Sequence, residues 1–518
     1  MALTEHGNVS SHVKLEIAAE KIGRAVEPLY GCEFYIGGTG ESATRSKNHI
    51  TVLARDQDGY RDLLRLMTKG WTDGFYQYPT VEPSWLAETA DSFVVLSGCL
   101  GSELATHLVG GKMVADSAAS YKAGLGVASA WKERLGDSYY LECQAFPELD
   151  RTRAVNPMLE RISRRLGIPL VATMDCHYPR RDDSIIQQVL HNVRGGGRAT
   201  LEEQAQAWGY DVPLCPVRDD KTMLRRLMQS GLSRRAAIRS ILATEEIADE
   251  CKGIVLPKLE LLRYPMPPGF KGTSKDLMNQ WLREGWKFRG FHNLSRRDLV
   301  AYKARIRREL DIIYAKDFAD YFLVVSDVLR WAKDSGILVG PARGSAAASL
   351  VCYLLRIIEV NPMHYPNLVF ERFIDITRED LPDIDLDFDS RKRHLIYEYL
   401  VEKYGEGRVG NIGTFNVYKS KVSLDDVARA FRIPKYRVEE VKDLLIERSS
   451  GDLRASATIE DTVEQFDVAR KAFEDYPELQ HSIKLEGQIR SIGVHAAGLV
   501  VANRRIEDVC AVYRRKVS

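Results

Sequence analysis

The feature that most constrains this chain is a strict alternation of acidic and apolar residues over Pro382–Phe388. Successive side chains of a β-strand point to opposite faces, so a strand here places its aspartates on one face and its apolar residues on the other. Carboxylates on one face repel each other unless a cation lies between them, and oxygen ligands of this kind suit Mg²⁺. The pattern predicts a magnesium-binding strand. Its aspartates are Asp383, Asp385 and Asp387.

Two other interpretations of the same stretch are weighed against this one. A calcium loop needs Gly at its sixth position and Glu at its twelfth, where this chain has Phe388 and His394. An ordinary edge strand with a solvated acidic face fits the spacing equally well, since such faces are common on antiparallel sheets. Spacing alone therefore leaves the magnesium site and the edge strand open.

A second pattern lies upstream and resembles a phosphate-binding turn. The residues predict a short strand at Ile337–Val339, a tight turn, and an Ala-rich helix that Ser345 caps and that ends near Leu355. The free amides of a helix start, with Arg343 before it, suit phosphate oxygens. The Gly-Lys-Ser/Thr of a P-loop is absent, and Gly-Ser before a helix is also compatible with a simple cap.

Taken together, five segments in this order resemble the C-family bacterial replicative DNA polymerases, the DNA polymerase III alpha subunits, over essentially the whole chain. They are Tyr321–Val325, Gly340–Leu350, Phe370–Phe373, Pro382–Phe388 and Ser491–Gly498. The resemblance implies a DNA-directed DNA polymerase, a nucleotidyltransferase that copies primer-template DNA from dNTPs during replication.

The resemblance also assigns roles to single residues. Asp383 and Asp385 are implied to be catalytic and to hold a Mg²⁺ pair, with Asp387 in support. The incoming nucleotide is implied to bind at four residues, Arg343, Gly344, Ser345 and Arg372.

Composition sets the broad class. The 518 residues allow roughly three domains, and the net charge of +1 is not that of a chain coated for nucleic acid, so DNA binding must come from local basic faces. The eight cysteines form no CxxC pair, and neither a secretory signal nor a membrane-spanning apolar run is seen. These features predict a reduced cytoplasmic protein that does not contact a membrane.

Residues 1 to about 200 alternate apolar runs with helical patterns, which predicts βα units and a parallel sheet or barrel. Metal-type side chains follow several of the predicted strands and together suit Zn²⁺ or Mn²⁺, although each alone reads as an ordinary polar residue or core cysteine. As a set they resemble the metal cluster of the PHP (polymerase and histidinol phosphatase) domain. They are His6, Glu33, His49, Cys99, Asp175 and His177.

Two departures from the PHP pattern set limits on that cluster. The opening strand with its His-x-His pair should precede Ala2, and Glu5 stands where Asp is usual. We therefore expect a PHP-like domain without its first strand, an incomplete metal cluster, and no nuclease activity.

The fold expected from the resemblance is multidomain α/β: a PHP-like distorted β/α barrel, then a nucleotidyltransferase-type palm with an inserted helical thumb. Lys419 and Lys421 open the thumb and are expected to contact the DNA backbone. The predicted domains are 1–260 for the PHP-like part with a helical extension, 261–414 for the first part of the palm, 415–490 for the thumb and 491–518 for an incomplete return strand.

Family members continue past the point that matches Ser518, with a third catalytic aspartate and the fingers. We therefore expect a chain truncated at both ends that needs a second chain for polymerisation. The alternatives are a PHP-type metallohydrolase or exonuclease, and a non-catalytic remnant that binds DNA.

Overall fold

The computed structural model describes residues 1–42, 47–110, 117–196, 201, 203, 212–258, 260–377, 382–445 and 458–514. Some parts of the predicted domains lie outside the described residues. Examples are 446–457 of the predicted thumb and 515–518 of the predicted return strand. The chain divides into two compact units. The first contains Met1–Leu256, Gly413–His495 and Glu507–Ser518, and the second contains Pro257–Ile412 and Ala496–Ile506.

The first unit is built on a half-barrel sheet with the strand order β1-β2-β3-β5-β6-β7, and β4 continues the β1 edge of β2. Its strands are β1 Ala2–His6, β2 Leu29–Ile36, β3 Asn48–Ala54, β4 Thr80–Val81, β5 Phe93–Leu96, β6 Tyr139–Gln144 and β7 Leu170–Thr173. Strand β3 runs antiparallel to both neighbours, whereas the other pairs are parallel. The expected all-parallel sheet is therefore wrong at β3. The short link from β2 to β3 has no α-helix in its described part, and a parallel crossover needs a longer connection.

Helices lie between and after these strands in residues 1–256, and several of them pack on the sheet. They are α1 His12–Lys21, α2 Gln57–Thr72, α3 Pro83–Ala87, α4 Glu103–Val109, α5 Ser117–Leu135, α6 Asp150–Leu166, α7 Ser184–Arg194, α8 Asp220–Gln229 and α9 Arg234–Cys251. Helix α2 shows why such segments fold: the Asp56 side chain accepts hydrogen bonds from the amides of Asp58 and Gly59. Its Leu63 and Leu64 are fully buried in the core, which stabilises the helix on the sheet.

The second unit is mostly helical. Its helices are α10 Ser274–Phe288, α11 Arg296–Ala315, α12 Ala319–Asp334, α13 Leu350–Leu354 and α14 Arg393–Tyr404. Phe322, Leu350 and Phe370 are fully buried in one core, which joins α12, α13 and the loop after them. This core carries the segment Pro382–Phe388, because its apolar side chains pack on it.

A long two-stranded sheet, β8 Val409–Val417 and β9 Ile489–Val501, flanks a helical segment. The helices are α15 Ser420–Ala430, α16 Lys435–Lys442, α17 Ile459–Gln465, α18 Asp467–Asp475 and α19 Gln480–Leu485. Leu424, Val441 and Leu479 are fully buried at its centre. The multidomain α/β class predicted from the sequence is confirmed. Within the described residues, no helix has the length and apolar character that crossing a membrane requires.

Candidate metal and nucleotide sites

The acidic segment shows the predicted alternation. Asp383, Asp385 and Asp387 are exposed, and the apolar residues between them are half-buried against the core of the second unit. The predicted strands at Ile337–Val339 and through Phe388 are wrong in extent, however. Pairing is limited to one bridge between Val339 and Phe388, flanked by a hydrogen bond of 2.9 Å from Gly340 N to the Asp387 carbonyl oxygen.

Arg343 lies on the acidic face of this segment. Its Nη1 donates to Asp387 Oδ1 over 2.9 Å, and its Nε lies 3.8 Å from Asp385 Oδ2. The hydrogen bond and charge of Asp387, and then the charge of Asp385, raise the pKa of Arg343. The structure therefore joins two groups of predicted site residues, the aspartates and the nucleotide-binding turn. It gives Asp387 a closer part in this than the sequence indicated.

Two glycines let the turn approach the aspartates. A Cβ on Gly340 would lie 3.0 Å from Asp387 Cβ. Gly344 has a φ of +62°, and a Cβ there would lie 3.1 Å from Asp385 Oδ2. A side chain at either position would push the turn away from the carboxylates, and at Gly344 it would also strain the backbone.

The predicted Ala-rich helix is broken in two. Ser345–Ala348 form a 3₁₀ turn, and α13 begins only at Leu350, where Ser349 rather than Ser345 is the cap: its Oγ accepts from Cys352 N over 3.1 Å. The expected N-cap at Ser345 is therefore wrong.

The amides at the observed start of α13 are occupied by Glu309, a fully buried side chain of α11. Glu309 accepts from Leu350 N (3.0 Å), Val351 N (2.9 Å) and Ser349 Oγ (2.8 Å). This carboxylate occupies the helix start that the structure shows, four residues after the start that the sequence predicted. Burial raises its pKa, although these amides and Arg305 oppose the rise.

Arg305 links Glu309 to the Ser345–Ala348 turn. Its Nε donates to Glu309 Oε1 over 2.6 Å and its Nη2 to the Ala348 carbonyl oxygen over 2.7 Å. Arg372 is exposed on a 3₁₀ turn, Phe370–Arg372, that packs against the Ser345–Ala348 turn. Sequence reasoning missed Glu309, although an acid on the buried face of α11, between Tyr302 and Ile313, was a readable signal.

Four of the predicted PHP-type residues meet at the edge of the half-barrel. The Nε2 atoms of His6 and His49 lie 3.2 Å apart, and His49 Nδ1 lies 3.1 Å from Glu33 Oε1. Cys99 Sγ lies 3.5 Å from both Glu33 Oε1 and His49 Nδ1. His6, Glu33 and His49 each offer one ligand atom, and these three atoms all lie within 4.8 Å of one another.

The protonation states of His6 and Glu33 suit a cation. Burial lowers the pKa of His6 to about 4, so its imidazole is neutral near pH 7. Burial pushes the pKa of Glu33 upward, but His49 and His6 hold it below its usual value, so the carboxylate is ionised. Burial, followed by the charge of Glu33, raises the pKa of Cys99. One neutral imidazole and one carboxylate match the donor set of Zn²⁺ or Mn²⁺, whereas the Cys99 thiol would have to lose its proton to bind either ion.

Asp175 and His177 lie beside this cluster rather than at its centre. Asp175 follows β7 with a φ of +45°, and its Oδ1 lies 3.6 Å from His177 Nδ1. Burial and then the charge of Glu33 raise the pKa of Asp175. The Glu5 side chain binds the backbone instead, because its Oε2 accepts a hydrogen bond from Ser11 N over 2.8 Å.

A further acid near the cluster was missed. Glu142 lies in β6, whose residues are all buried, and its Oε1 accepts from Thr173 Oγ1 over 2.7 Å. Burial raises its pKa to about 8. The position of Glu142 within an otherwise largely apolar predicted strand was the sequence signal that could have identified it.

The residues expected to contact DNA lie at the start of the helical segment. Lys419 is exposed and directly precedes α15, and Lys421 is half-buried in its first turn. The two side chains therefore differ in their exposure.

Comparison with known sequences identifies the family. The family described as "Bacterial DNA polymerase III alpha NTPase domain" matches residues 276–518, and the PHP domain family matches residues 1–146. Over 99% of its length the chain is 31% identical to DNA polymerase III subunit alpha of Treponema pallidum. Most of the chain thus matches the family models and the sequences of DNA polymerase III alpha subunits. The resemblance seen in its motifs, including the PHP domain, is confirmed.

Two more DNA polymerase III alpha subunits show how much of the relatives is matched. The Helicobacter pylori protein (strain 26695) is 30% identical over 98% of this chain, and the Thermus aquaticus protein is 29% identical over 99% of it. These matches cover 42% of the Treponema pallidum relative, 43% of the Helicobacter pylori one and 45% of the Thermus aquaticus one. The chain thus spans less than half the length of the relatives it matches.

Proposed function

We propose that the chain is the PHP, palm and thumb part of a DNA-directed DNA polymerase that acts in replication in the cytoplasm. In this proposal 1–260 are the PHP-like domain, 261–414 and 491–518 belong to the palm, and 415–490 form the thumb. The observation that carries it is the exposed row of carboxylates that faces Arg343 and the Gly344 turn.

The proposed active site uses this geometry for nucleotidyl transfer from a dNTP to a primer 3′-hydroxyl. Asp383 and Asp385 present exposed oxygen donors, which fit Mg²⁺ better than a softer metal. Mg²⁺ at these carboxylates supplies the charge that activates the 3′-hydroxyl and stabilises the leaving pyrophosphate.

The remaining site residues handle the triphosphate. Arg343 leaves its ion pair with Asp387 and donates to phosphate oxygens, and exposed Arg372 adds a second cation on the neighbouring turn. Gly344 and Ser345 let the backbone of the turn approach the phosphates. Lys419 and Lys421 contact the duplex backbone, which makes binding dependent on salt and independent of sequence.

Primer extension tests the proposal. Because the relatives are more than twice as long, the chain is assayed alone and mixed with a polypeptide that matches the rest of their length, which we propose supplies a third carboxylate. We expect extension with Mg²⁺ in the mixture, and its loss in Asp383→Ala and Asp385→Ala. Asp389→Ala is the matched control, because this nearby acid pairs with Arg391. Extension that survives Asp385→Ala, or fails in every mixture, would reject the proposal.

We also propose that the cluster of His6, Glu33, His49 and Cys99 binds one divalent ion, Zn²⁺ or Mn²⁺, in a structural role. His6, Glu33 and His49 each offer one ligand atom within 4.8 Å of the other two, and Cys99 Sγ lies 3.5 Å from Glu33 Oε1, so the group supplies a ligand set that these ions accept. Metal analysis of purified protein should give one ion, and His49→Ala should lose it while Asp383→Ala retains it. Metal-dependent phosphodiester hydrolysis that His49→Ala removes would instead favour the hydrolase alternative.

A further inference from the structure

A row of basic side chains lies along one face of α11. Arg296, Lys303 and Arg307 follow each other at spacings of seven and four residues, which places them on one side of the helix. All three are exposed, and Val300, which lies in the same row, is 66% exposed. At a rise of about 1.5 Å per residue, the three cations span about 16 Å of the helix axis. We call Arg296, Lys303 and Arg307 the basic stripe.

Two other arginines of α11 have carboxylate partners, whereas the basic stripe has none in the described residues. Arg305 pairs with Glu309, and Arg308 pairs with Glu371. Asp311 is an exposed acid at the C-terminal end of the stripe. The stripe therefore presents three positive charges and this one negative charge to solvent.

The opposite face of α11 is fixed to the turn that we propose for nucleotide binding. Buried Glu309 accepts hydrogen bonds from Leu350 N over 3.0 Å and from Val351 N over 2.9 Å. Arg305 Nη2 donates to the Ala348 carbonyl oxygen over 2.7 Å. Because these contacts hold the helix in place, the basic stripe has a fixed position one helix diameter, about 10 Å, away from them.

The chemistry of the stripe fits a phosphodiester backbone. Lysine and arginine side chains without carboxylate partners are free to contact phosphate oxygens. The rise between Lys303 and Arg307 is about 6 Å, so both cations can contact neighbouring phosphates of one strand. Val300, which lies between the cations, is aliphatic and offers no stacking platform for a base. Contact with the backbone alone is independent of sequence.

We propose that the basic stripe binds the backbone of the single-stranded template ahead of the polymerase site, an inference that rests on the proposed function. Template-directed transfer requires an unpaired template strand beside the incoming nucleotide, and the other face of α11 supports the proposed nucleotide-binding turn. Lys419 and Lys421 are the proposed contacts of the duplex behind that site. The stripe therefore adds a salt-dependent contact that a template overhang makes and a blunt duplex does not.

The test compares a primer-template that has a 5′ overhang of about ten nucleotides with the blunt duplex. Fluorescence anisotropy with the whole chain, at several salt concentrations, measures both affinities. We expect the wild type to bind the overhang substrate more tightly. Lys303→Gln and Arg307→Gln should each reduce this gain in affinity and lower its salt slope by about 0.7. The affinity for the blunt duplex should stay unchanged.

Arg297→Gln is the matched control. Arg297 is an exposed arginine of the same helix, and it lies about 100° around the helix axis from Arg296. The substitution therefore removes the same charge outside the stripe, and overhang binding should be unchanged. An equal loss in Arg297→Gln would overturn the proposal in favour of a general charge effect.

Three other results would also overturn the proposal. The first is an overhang gain that both stripe variants retain. The second is an equal weakening of blunt-duplex binding, which would assign the stripe to the duplex. The third is binding of poly-glutamate that both variants lose while the overhang gain persists, which would assign the stripe to an acidic protein.

Primer extension separates this proposal from the proposed function. Extension by the wild-type mixture, together with an unchanged overhang gain in both stripe variants, would reject the stripe alone. A wild-type chain that binds neither DNA substrate would reject both.

Discussion

At the scale of single residues, the ion pair between Arg343 and Asp387 was the contact that sequence reasoning could not supply. The Arg-Gly-Ser motif and the acidic run were both readable, and the family resemblance assigned them to one site. Which aspartate faces the guanidinium depends on the bridge between Val339 and Phe388, which fixes the register of two segments far apart in the chain.

The first prediction concerns Asp387→Asn. Arg343 gives up a 2.9 Å ion pair when it binds a phosphate, so removing the charge of Asp387 should strengthen dNTP binding without divalent metal by about two- to fivefold, in line with the small free energy of an exposed pair. Titration of a fluorescent dNTP in EDTA measures this change. Asp389→Asn should leave the affinity unchanged, and an equal gain in both variants would show a general charge effect instead.

Glu142 gives a second prediction, on the pH dependence of stability. Its pKa rises from an ordinary 4.5 to about 8, so the folded chain retains a proton that the unfolded chain has lost between these values. The free energy of unfolding should therefore fall as pH rises from 5 to 8, by about 1.4 kcal/mol for each unit of pKa difference at most. Urea unfolding at several pH values should show this fall in the wild type and a smaller one in Glu142→Gln. Equal slopes in the two proteins would contradict the assignment.

At the scale of elements, periodicity predicted exposure better than it predicted hydrogen bonding. The alternation over Pro382–Phe388 correctly separated exposed acids from packed apolar residues, but a strand also needs a partner, and one bridge is what the fold provides. The helix after Arg343 was placed four residues too early because Ser345 and Ser349 are equally good caps by sequence. Glu309, forty residues away from Ser349, decides between them.

Glu309 therefore carries a prediction for the element it caps. Glu309→Ala should leave half-buried Arg305 without its carboxylate partner and three donors at the start of α13 unsatisfied. We expect the free energy of unfolding to fall by about 3–5 kcal/mol. Asp311→Ala, at an exposed position of the same helix, is the control and should change it by less than about 0.5 kcal/mol. A similar loss in both variants would mean that α11, not the cap, was disturbed.

At the scale of the whole molecule, the sequence anticipated which metal-type residues belong together, because strand ends in a βα pattern meet at one edge. It could not predict which of them touch, and the structure joins four of the six predicted residues through a chain of contacts. The antiparallel β3, which carries His49 into the cluster, was outside what the βα pattern predicts.

Charge also acts at this scale. With 73 basic and 72 acidic residues, the chain as a whole does not attract DNA, so duplex binding should depend on a few local contacts. Lys419→Glu should weaken duplex binding about equally for all sequences and reduce the salt slope by about one. Fluorescence anisotropy between 50 and 200 mM salt measures both quantities. Lys435→Glu, an exposed lysine of the same helical segment, is the control, and an equal effect there would remove Lys419 from the interface.

The helical segment between β8 and β9 enters and leaves at one point. Tyr418 N donates to the Gln488 carbonyl oxygen over 2.8 Å, and Gly487 N donates to the Tyr418 carbonyl oxygen over 2.9 Å. In effect, the whole body of helices is an enlarged hairpin turn. The entropy of closing such a loop grows only slowly with its length. A lineage can therefore lengthen, shorten or replace this body while the strands on either side keep their register.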